Sequence, residues 1–261
     1  MADRRFGRVN WLGLATLMKR ELQRFVSVWT QTIIAPLVTA GLFMVIFSIA
    51  IGARRGDVAG MPFVTFIAPG ILMMSVVQNA FANTSSSILI AKIQGNIVDT
   101  LMPPLSPGEL LVGYLTGAIG RGCLVALSIS IGMAIVLGLV PQHPLIFFGF
   151  VILGSILLGA LGVIAAIFAN KYDQMAAITN FVITPLAFLS GTFYSVQSLP
   201  QTLAVISQVN PVFYLIDGGR YGMIGVSDAP PLLGLGVVAA VTSVVCAFAW
   251  YLLKTGYRLK S

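Results

Sequence analysis

A chain of 261 residues that is 57% apolar and only 9% charged, with a mean hydropathy of +0.96, falls outside the soluble globular class, where about a quarter of residues carry charge. Its long uncharged runs point instead to several membrane helices. The net charge of +7 does not imply nucleic-acid binding, because the basic residues cluster at helix ends, where they orient a membrane protein.

Residues 1–31 come first. Trp11, Leu14, Met18, Leu22, Phe25 and Trp29 recur every three or four positions, leaving Lys19, Arg20, Gln23 and Arg24 on the other side. That pattern predicts an amphipathic elbow helix lying in the headgroup layer. The opening MADRRFGRVNW has no apolar core directly after its bases, so no cleaved signal peptide is expected. Residues 32–53 form the first span and end at Arg54-Arg55-Gly56-Asp57; residues 63–91 form the second. Within it Ser75, Asn79, Asn83 and Ser86 fall at i, i+4, i+8 and i+11, with Gln78 at the edge of the stripe. A polar stripe must turn away from lipid. It can bond neighbouring helices, for roughly 0.6–2 kcal/mol per contact, or line a pathway, and the spacing alone leaves both open.

The next stretch, KIQGNIVDTLMPPLSPGE, puts Ile93, Ile97 and Leu101 on a short apolar ridge, with Gln94, Asn96 and Asp99 polar. Pro103-Pro104 and Pro107-Gly108 are read as stops. Residues 110–140 give the third span, with Gly113 and Gly117 spaced for close helix contact. Arg121 has two placements. A membrane portion starting at Leu110 puts it roughly 16 Å inward. A start at Gly122 makes it an interfacial charge, which we adopt because an unpaired charge at the bilayer centre is costly. The lone His143 sits in a short turn and is expected to be solvated. Residues 145–169 form the fourth span, Asn170-Lys171-Tyr172-Asp173 a charged turn, and residues 174–194 the fifth span, with Asn180 and Thr184 on one face as further candidate pathway residues.

From Gln174 to Ile216 no residue is charged, a run too long for one span and too polar near Ser195 for two. Pro185, the elbow Ser190-Gly191-Thr192-Phe193-Tyr194-Ser195, Pro200 and the helix start Asn210-Pro211 break it up. Residues 195–227 therefore read as re-entrant half-helices, tolerated in a membrane only where protein or a wet cavity satisfies the backbone. Asp217 and Arg220 are spaced to pair. Residues 232–253 form the sixth span and residues 254–261 a tail. Arg4, Arg5, Arg8, Lys19, Arg20, Arg24, Lys92, Lys171, Lys254, Arg258 and Lys260 fall on one side of this layout, against Arg54, Arg55 and Arg220 on the other, which favours both termini in the cytoplasm. The predicted fold is an all-α integral membrane protein with six spans.

The chain has no GxxxxGK[ST] phosphate loop. Cys123 and Cys246 lie apart in apolar runs and read as buried small side chains. With one His and scattered carboxylates, neither a metal site nor a proteolytic centre is expected, and no Asp or Glu falls inside a predicted span to couple protons.

The string SGTFYSVQSLPQTLAVISQVNPVFYLIDGGRYG resembles the C-terminal signature of ABC type-2 permeases, the membrane subunits of bacterial ATP-driven exporters. The similarity runs along nearly the whole chain, in particular to the YadH-like inner-membrane permeases and the nodulation-type lipooligosaccharide exporters. The resemblance implies a multi-pass protein of the bacterial inner membrane, working as a homodimer with two copies of a separate ATPase. ATP and Mg would sit on that partner, with no cofactor on this chain. It also implies a coupling helix after the second span, over about residues 92–102, with Lys92, Ile93, Ile97, Asp99 and Leu101 meeting the ATPase. Cargo could be a lipid-linked saccharide, a polysaccharide, a drug or another amphiphile. A membrane scaffold that binds an ATPase without moving cargo, and a secondary carrier, are the alternatives.

Overall fold

The structure is a computed structural model and describes residues 9–52, 57–58 and 60–259. The last residue of the first predicted span, Arg54 and Arg55, the bases through Arg8, and Lys260 lie outside the described residues. Among the described residues the chain consists of helices and loops without a β-strand. In chain order these are α1 (Trp11–Ser27), α2 (Ala35–Phe47), α3 (Phe63–Ile93), α4 (Ile97–Leu101), α5 (Pro107–Leu137), α6 (Pro144–Phe168), α7 (Tyr172–Ile178), α8 (Thr184–Phe188), α9 (Gln201–Val209), α10 (Pro211–Ile224) and α11 (Pro231–Thr255). Single π-helical segments flank α2, at Thr30–Ile34 and Ser48–Gly52, and a third at Thr179–Ile183 joins α7 to α8.

Among the described residues, five stretches are long and apolar enough to cross a bilayer: Thr30–Ala50, α3, α5, α6 and α11. Helical backbone in the fifth predicted span starts at Tyr172 and stops at Phe188, short of residue 194, because the chain turns through Ser190 and a left-handed Gly191 at φ +76°. Pro107, taken from the sequence as a stop, instead opens α5. Ser106 is the N-cap, its hydroxyl accepting from the Glu109 N–H while the Glu109 carboxylate accepts from the Ser106 N–H. Proline at N1 costs nothing there, since its missing N–H would have no helical partner.

Helices α3 and α6 form the centre, with 78% and 72% of their most apolar stretch buried; the first crossing, at 11%, and α11, at 22%, lie outermost. The Thr84 hydroxyl donates to the Gly159 carbonyl at 2.7 Å, locking α3 to α6 where Gly159 and Gly162 let the backbones approach.

Helix length requires that part of α3 and of α5 project from the apolar layer. At 31 residues each, α3 and α5 are about 46 Å long. The apolar layer takes only about 20 residues. Counted from Phe63, that length reaches Asn83; counted back from Leu137, it reaches Gly117. These two residues touch, since a Cβ on Gly117 would lie 2.7 Å from Asn83 Nδ2. Beyond this boundary α3 and α5 form a stalk, and α1 packs along it, with Leu17 over Gly113, Glu21 over Gly117 and Phe25 beside Gly120. The protein-facing side of α1 is Leu14, Leu17, Glu21 and Phe25, whereas Trp11, Leu22 and Trp29 of the predicted apolar stripe are exposed. On that count Arg121, placed at the interface in the sequence reading, falls one helical turn inside the layer.

At the opposite end, Asp217 and Arg220 of α10 pair at 3.4 Å with both side chains buried. Asp217 also accepts the N–H groups of Asp228 (2.8 Å) and Ala229 (2.9 Å), and Arg220 donates to the Gly191 carbonyl and covers the Phe66 ring. Asp228 in turn accepts from the Ser195 hydroxyl and the Val196 N–H, each at 2.7 Å. The two acids and Arg220 thus fasten the 190–196 loop to α10 and to the start of α11. Any side chain at Gly70 of α3 would strike the Thr192 carbonyl, so this loop sits against α3 about 10 Å in from its N-terminal end.

Candidate functional site

One open cavity of about 440 Å³ separates α2, α3 and α8. Ser75, Gln78 and Asn79 line it from α3, Thr184 and Phe188 from α8, and Gln31, Ala35, Pro36, Thr39 and Phe43 from the first crossing. No charged residue faces it. Ser75 donates to the Ile71 carbonyl and Asn79 Nδ2 to the Ser75 carbonyl, both at 3.0 Å, which leaves the Asn79 oxygen and one amide hydrogen for an occupant. The groove is therefore neutral and mostly apolar, with Ala35, Pro36, Phe43, Met74 and Phe188 around a few amides and hydroxyls.

Its shape comes from two prolines. The segments Thr30–Ile34 and Thr179–Ile183 end two residues before Pro36 and Pro185, and the Ala35 and Thr184 N–H groups reach back five residues, to Thr30 and Thr179. A proline ring clashes with the carbonyl four residues earlier, and widening the preceding turn relieves the clash. Phe193 of the 190–196 loop packs on the groove's aromatic edge, its ring 5.7 Å from Phe43, 4.7 Å from Phe47 and 5.2 Å from Phe188.

The remaining stripe residues belong elsewhere. Asn83 is fully buried, and its side-chain oxygen and backbone carbonyl accept from Arg24 at 2.9 and 2.6 Å. Ser86 accepts from Arg24 at 3.1 Å, and Ser87 donates to Glu21 at 2.8 Å. Glu21, fully buried in α1, also receives Arg20 at 3.1 Å and Arg24 at 3.4 Å. The lower stripe thus holds α1 to the stalk. Asn180 is exposed within a π-helical segment and does not reach the groove.

The predicted coupling segment is split. Lys92 and Ile93 end α3, a left-handed turn at Gly95 (φ +76°) follows, and α4 is separate. Lys92 Nζ donates to the carbonyls of Ala166, Ile167 and Ala169 at 2.7–3.1 Å, capping the end of α6. Because of the turn, Ile93, Ile97 and Leu101 do not form one ridge: Ile97 and Leu101 pack inward, while Ile93, Val98, Asp99 and Met102 are exposed. Arg20 ties α1 to α4 through Thr100 Oγ1 at 2.9 Å, and a cleft of about 330 Å³ between them is lined by Asn10, Thr16, Arg20, Asp99 and Pro103 among others.

A family model for the ABC-2 type transporter matches residues 13–224, from the elbow helix through α10. The chain belongs to the ABC-2 type transporter family. It is 35% identical over 254 residues to the inner membrane transport permease YadH of Escherichia coli K12, covering 96% of this chain and 98% of that one. Nodulation protein J of Rhizobium leguminosarum bv. viciae is 25% identical over 235 residues, covering 89% of each. Nodulation protein J of Sinorhizobium fredii is 27% identical over 202 residues, covering 76% and 74%. With its apolar crossings, the chain is a multi-pass inner-membrane permease, a membrane subunit of an ABC transporter.

In this permease the sequence reading missed the groove wall on the first crossing. A signal was there: Gln31, Ala35, Thr39 and Phe43 repeat every four residues, matching the spacing of Ser75 and Asn79 on α3. Glu21 carried no such signal, since a single acid among bases on an amphipathic helix looks solvated.

Proposed function

We propose that this permease is half of a homodimeric exporter, in which two copies face each other across their α2/α3/α8 grooves and move cargo outward under the drive of two ATPase chains. The observation that carries the reading is the groove itself, an uncharged, mostly apolar surface into which α3 sets Ser75, Gln78 and Asn79, joined to the stalk by unbroken α3. Six crossings with both termini cytoplasmic are supported by α1 lying beside α4 and by Arg258 of the C-terminal turn standing over Phe168 at the end of α6. The α7–α8 run is then the fifth crossing, completed by the 190–196 loop. Asn210 Nδ2 bonds the Leu186 carbonyl and Ser190 (3.2 and 2.7 Å), while Gly222 abuts Phe147 near the outer start of α6; these contacts support α9 and α10 as a hairpin that dips into the outer half and returns.

In this reading ATP and Mg bind the partner chains. Their closure pushes α4, and the push reaches α3 through the Gly95 turn and α1 through the Arg20–Thr100 bond. Arg24 on Asn83 then links the elbow to α3 one turn from Asn79, so the groove reshapes as the stalk tilts. Substrate contact is assigned to Ser75, Gln78, Asn79 and Thr184. Contact with the ATPase is assigned to the exposed α4 face, with Asp99, Val98 and Met102 outermost, and to the exposed Ile93 that ends α3.

Affinity purification of the tagged permease from native membranes should recover a nucleotide-binding ATPase in equal copy number. A charge at Val98 or Met102 is expected to abolish that recovery while membrane insertion persists, whereas Ile97→Asp should destabilise the chain. Undiminished ATPase recovery with Val98→Asp and Met102→Lys combined would remove α4 from the interface. Recovery without cargo-stimulated ATP hydrolysis would turn the reading to a scaffold.

The groove assignment makes its own prediction. Asn79→Leu should depress transport severalfold at normal abundance, and Asn83→Leu should lower abundance, because it strips Arg24 of an acceptor. Parallel losses in both variants, read by immunoblot and transport in the same cells, would return Asn79 to a packing role.

A further inference from the structure

We propose that Arg121 holds the phosphate group of a membrane amphiphile at the α4-side edge of the apolar layer. Arg121 is only partly covered by the protein, and its Nε is shielded from solvent without an acceptor. Its guanidinium makes no hydrogen bond or ion pair with the described residues. The acid close to this part of α5, Glu21 over Gly117, already serves Arg20, Arg24 and Ser87. Arg24 stands near enough to Arg121 for their charges to repel.

A second orphan donor lies one turn away. Asn83 Nδ2 is fully buried against Gly117 and has no acceptor. The junction of α1, α3 and α5 therefore carries surplus positive charge and surplus N–H groups one turn inside the membrane boundary. An arginine at this depth reaches outward to the headgroup layer, where phosphate is the abundant anion, and its planar fork matches phosphate oxygens. Phosphate borne by a bilayer lipid and phosphate borne by an amphiphilic cargo offer the same oxygens.

The test uses the intact permease in its complex. Purified wild type, Arg121→Gln, Arg121→Lys and Lys19→Gln are placed in nanodiscs of phosphatidylcholine with phosphatidylglycerol, and retained lipid is read by native mass spectrometry. Lys19 is an exposed base on α1, so its variant matches the charge change alone. Arg121→Gln is expected to lose phosphatidylglycerol retention about fivefold, with Arg121→Lys partly restoring it and Lys19→Gln neutral. Equal retention in wild type and Arg121→Gln, or an equal loss in Lys19→Gln, overturns the site. Phosphorus-containing lipid extracted from wild type purified out of native membranes separates the sources. A glycerophospholipid marks a resident lipid, another phosphorylated amphiphile marks cargo, and no retained phosphorus compound overturns the proposal.

Discussion

Asp217→Ala is expected to lower the stability of the detergent-purified permease by about 3–5 kcal/mol, enough to deplete it from the membrane, because it leaves the buried Arg220 without its counter-charge. The loss has a second part. Asp217 is the acceptor for the Asp228 and Ala229 N–H groups, so the turn into α11 loses its anchor as well. Asp217→Asn keeps the shape and one acceptor and should cost less. Adding Arg220→Met to Asp217→Ala should recover part of the loss, since a buried charge pair replaced on both sides by apolar groups is often tolerated. Thermal unfolding midpoints and membrane abundance read all three. A midpoint for Asp217→Ala that matches wild type would show that the loop at 190–196 is held by something other than this pair.

Glu21→Leu is the second large expectation. The carboxylate gathers Ser87, Arg20 and Arg24, and hydrogen bonds to a charged group contribute about 1.5–3 kcal/mol each. Arg20 is nearly half exposed, so its share is small. A net docking loss of about 3 kcal/mol raises the undocked fraction of α1 roughly a hundredfold. Hydrogen–deuterium exchange over residues 11–27 should then accelerate, and cargo-stimulated ATP hydrolysis should fall, while helix content and insertion remain. Glu21→Gln, which keeps one acceptor, should be intermediate. Unchanged exchange over α1 in Glu21→Leu would mean that the glycine face of α5 holds the elbow alone.

These two positions show what was legible in the sequence. The Asp217–Arg220 spacing and the Asn210-Pro211 start were readable because they are local: one turn of helix brings the pair together, and the Asn210 side chain caps Val212 N–H directly. The polar stripe was read as one surface, yet α3 is longer than the bilayer is thick, so one face passes through two environments. Its upper part meets a groove and its lower part meets α1. Asn180 and Thr184 were put on one face by α-helical spacing, but the π-helical turn between them shifts the register. The start of α5 was misplaced because Pro107 was weighed as a breaker, although Ser106 and Glu109 frame it as an N-terminus. Glu21 depended on a tertiary contact across 66 residues of chain, which no local pattern carries.

The aromatic contact has a quantitative side. Phe193 touches Phe43, Phe47 and Phe188, and such ring pairs contribute about 0.5–1.5 kcal/mol each, so roughly 3 kcal/mol holds this loop against the aromatic edge of the groove. At that strength the loop of an idle protomer would release spontaneously about one time in a hundred. In the proposed dimer, two such latches on one path would both have to release, and if they do so independently, the joint probability drops to about one in ten thousand. In that dimer, pairing two weak latches would give a tight resting seal while each remained easy to break.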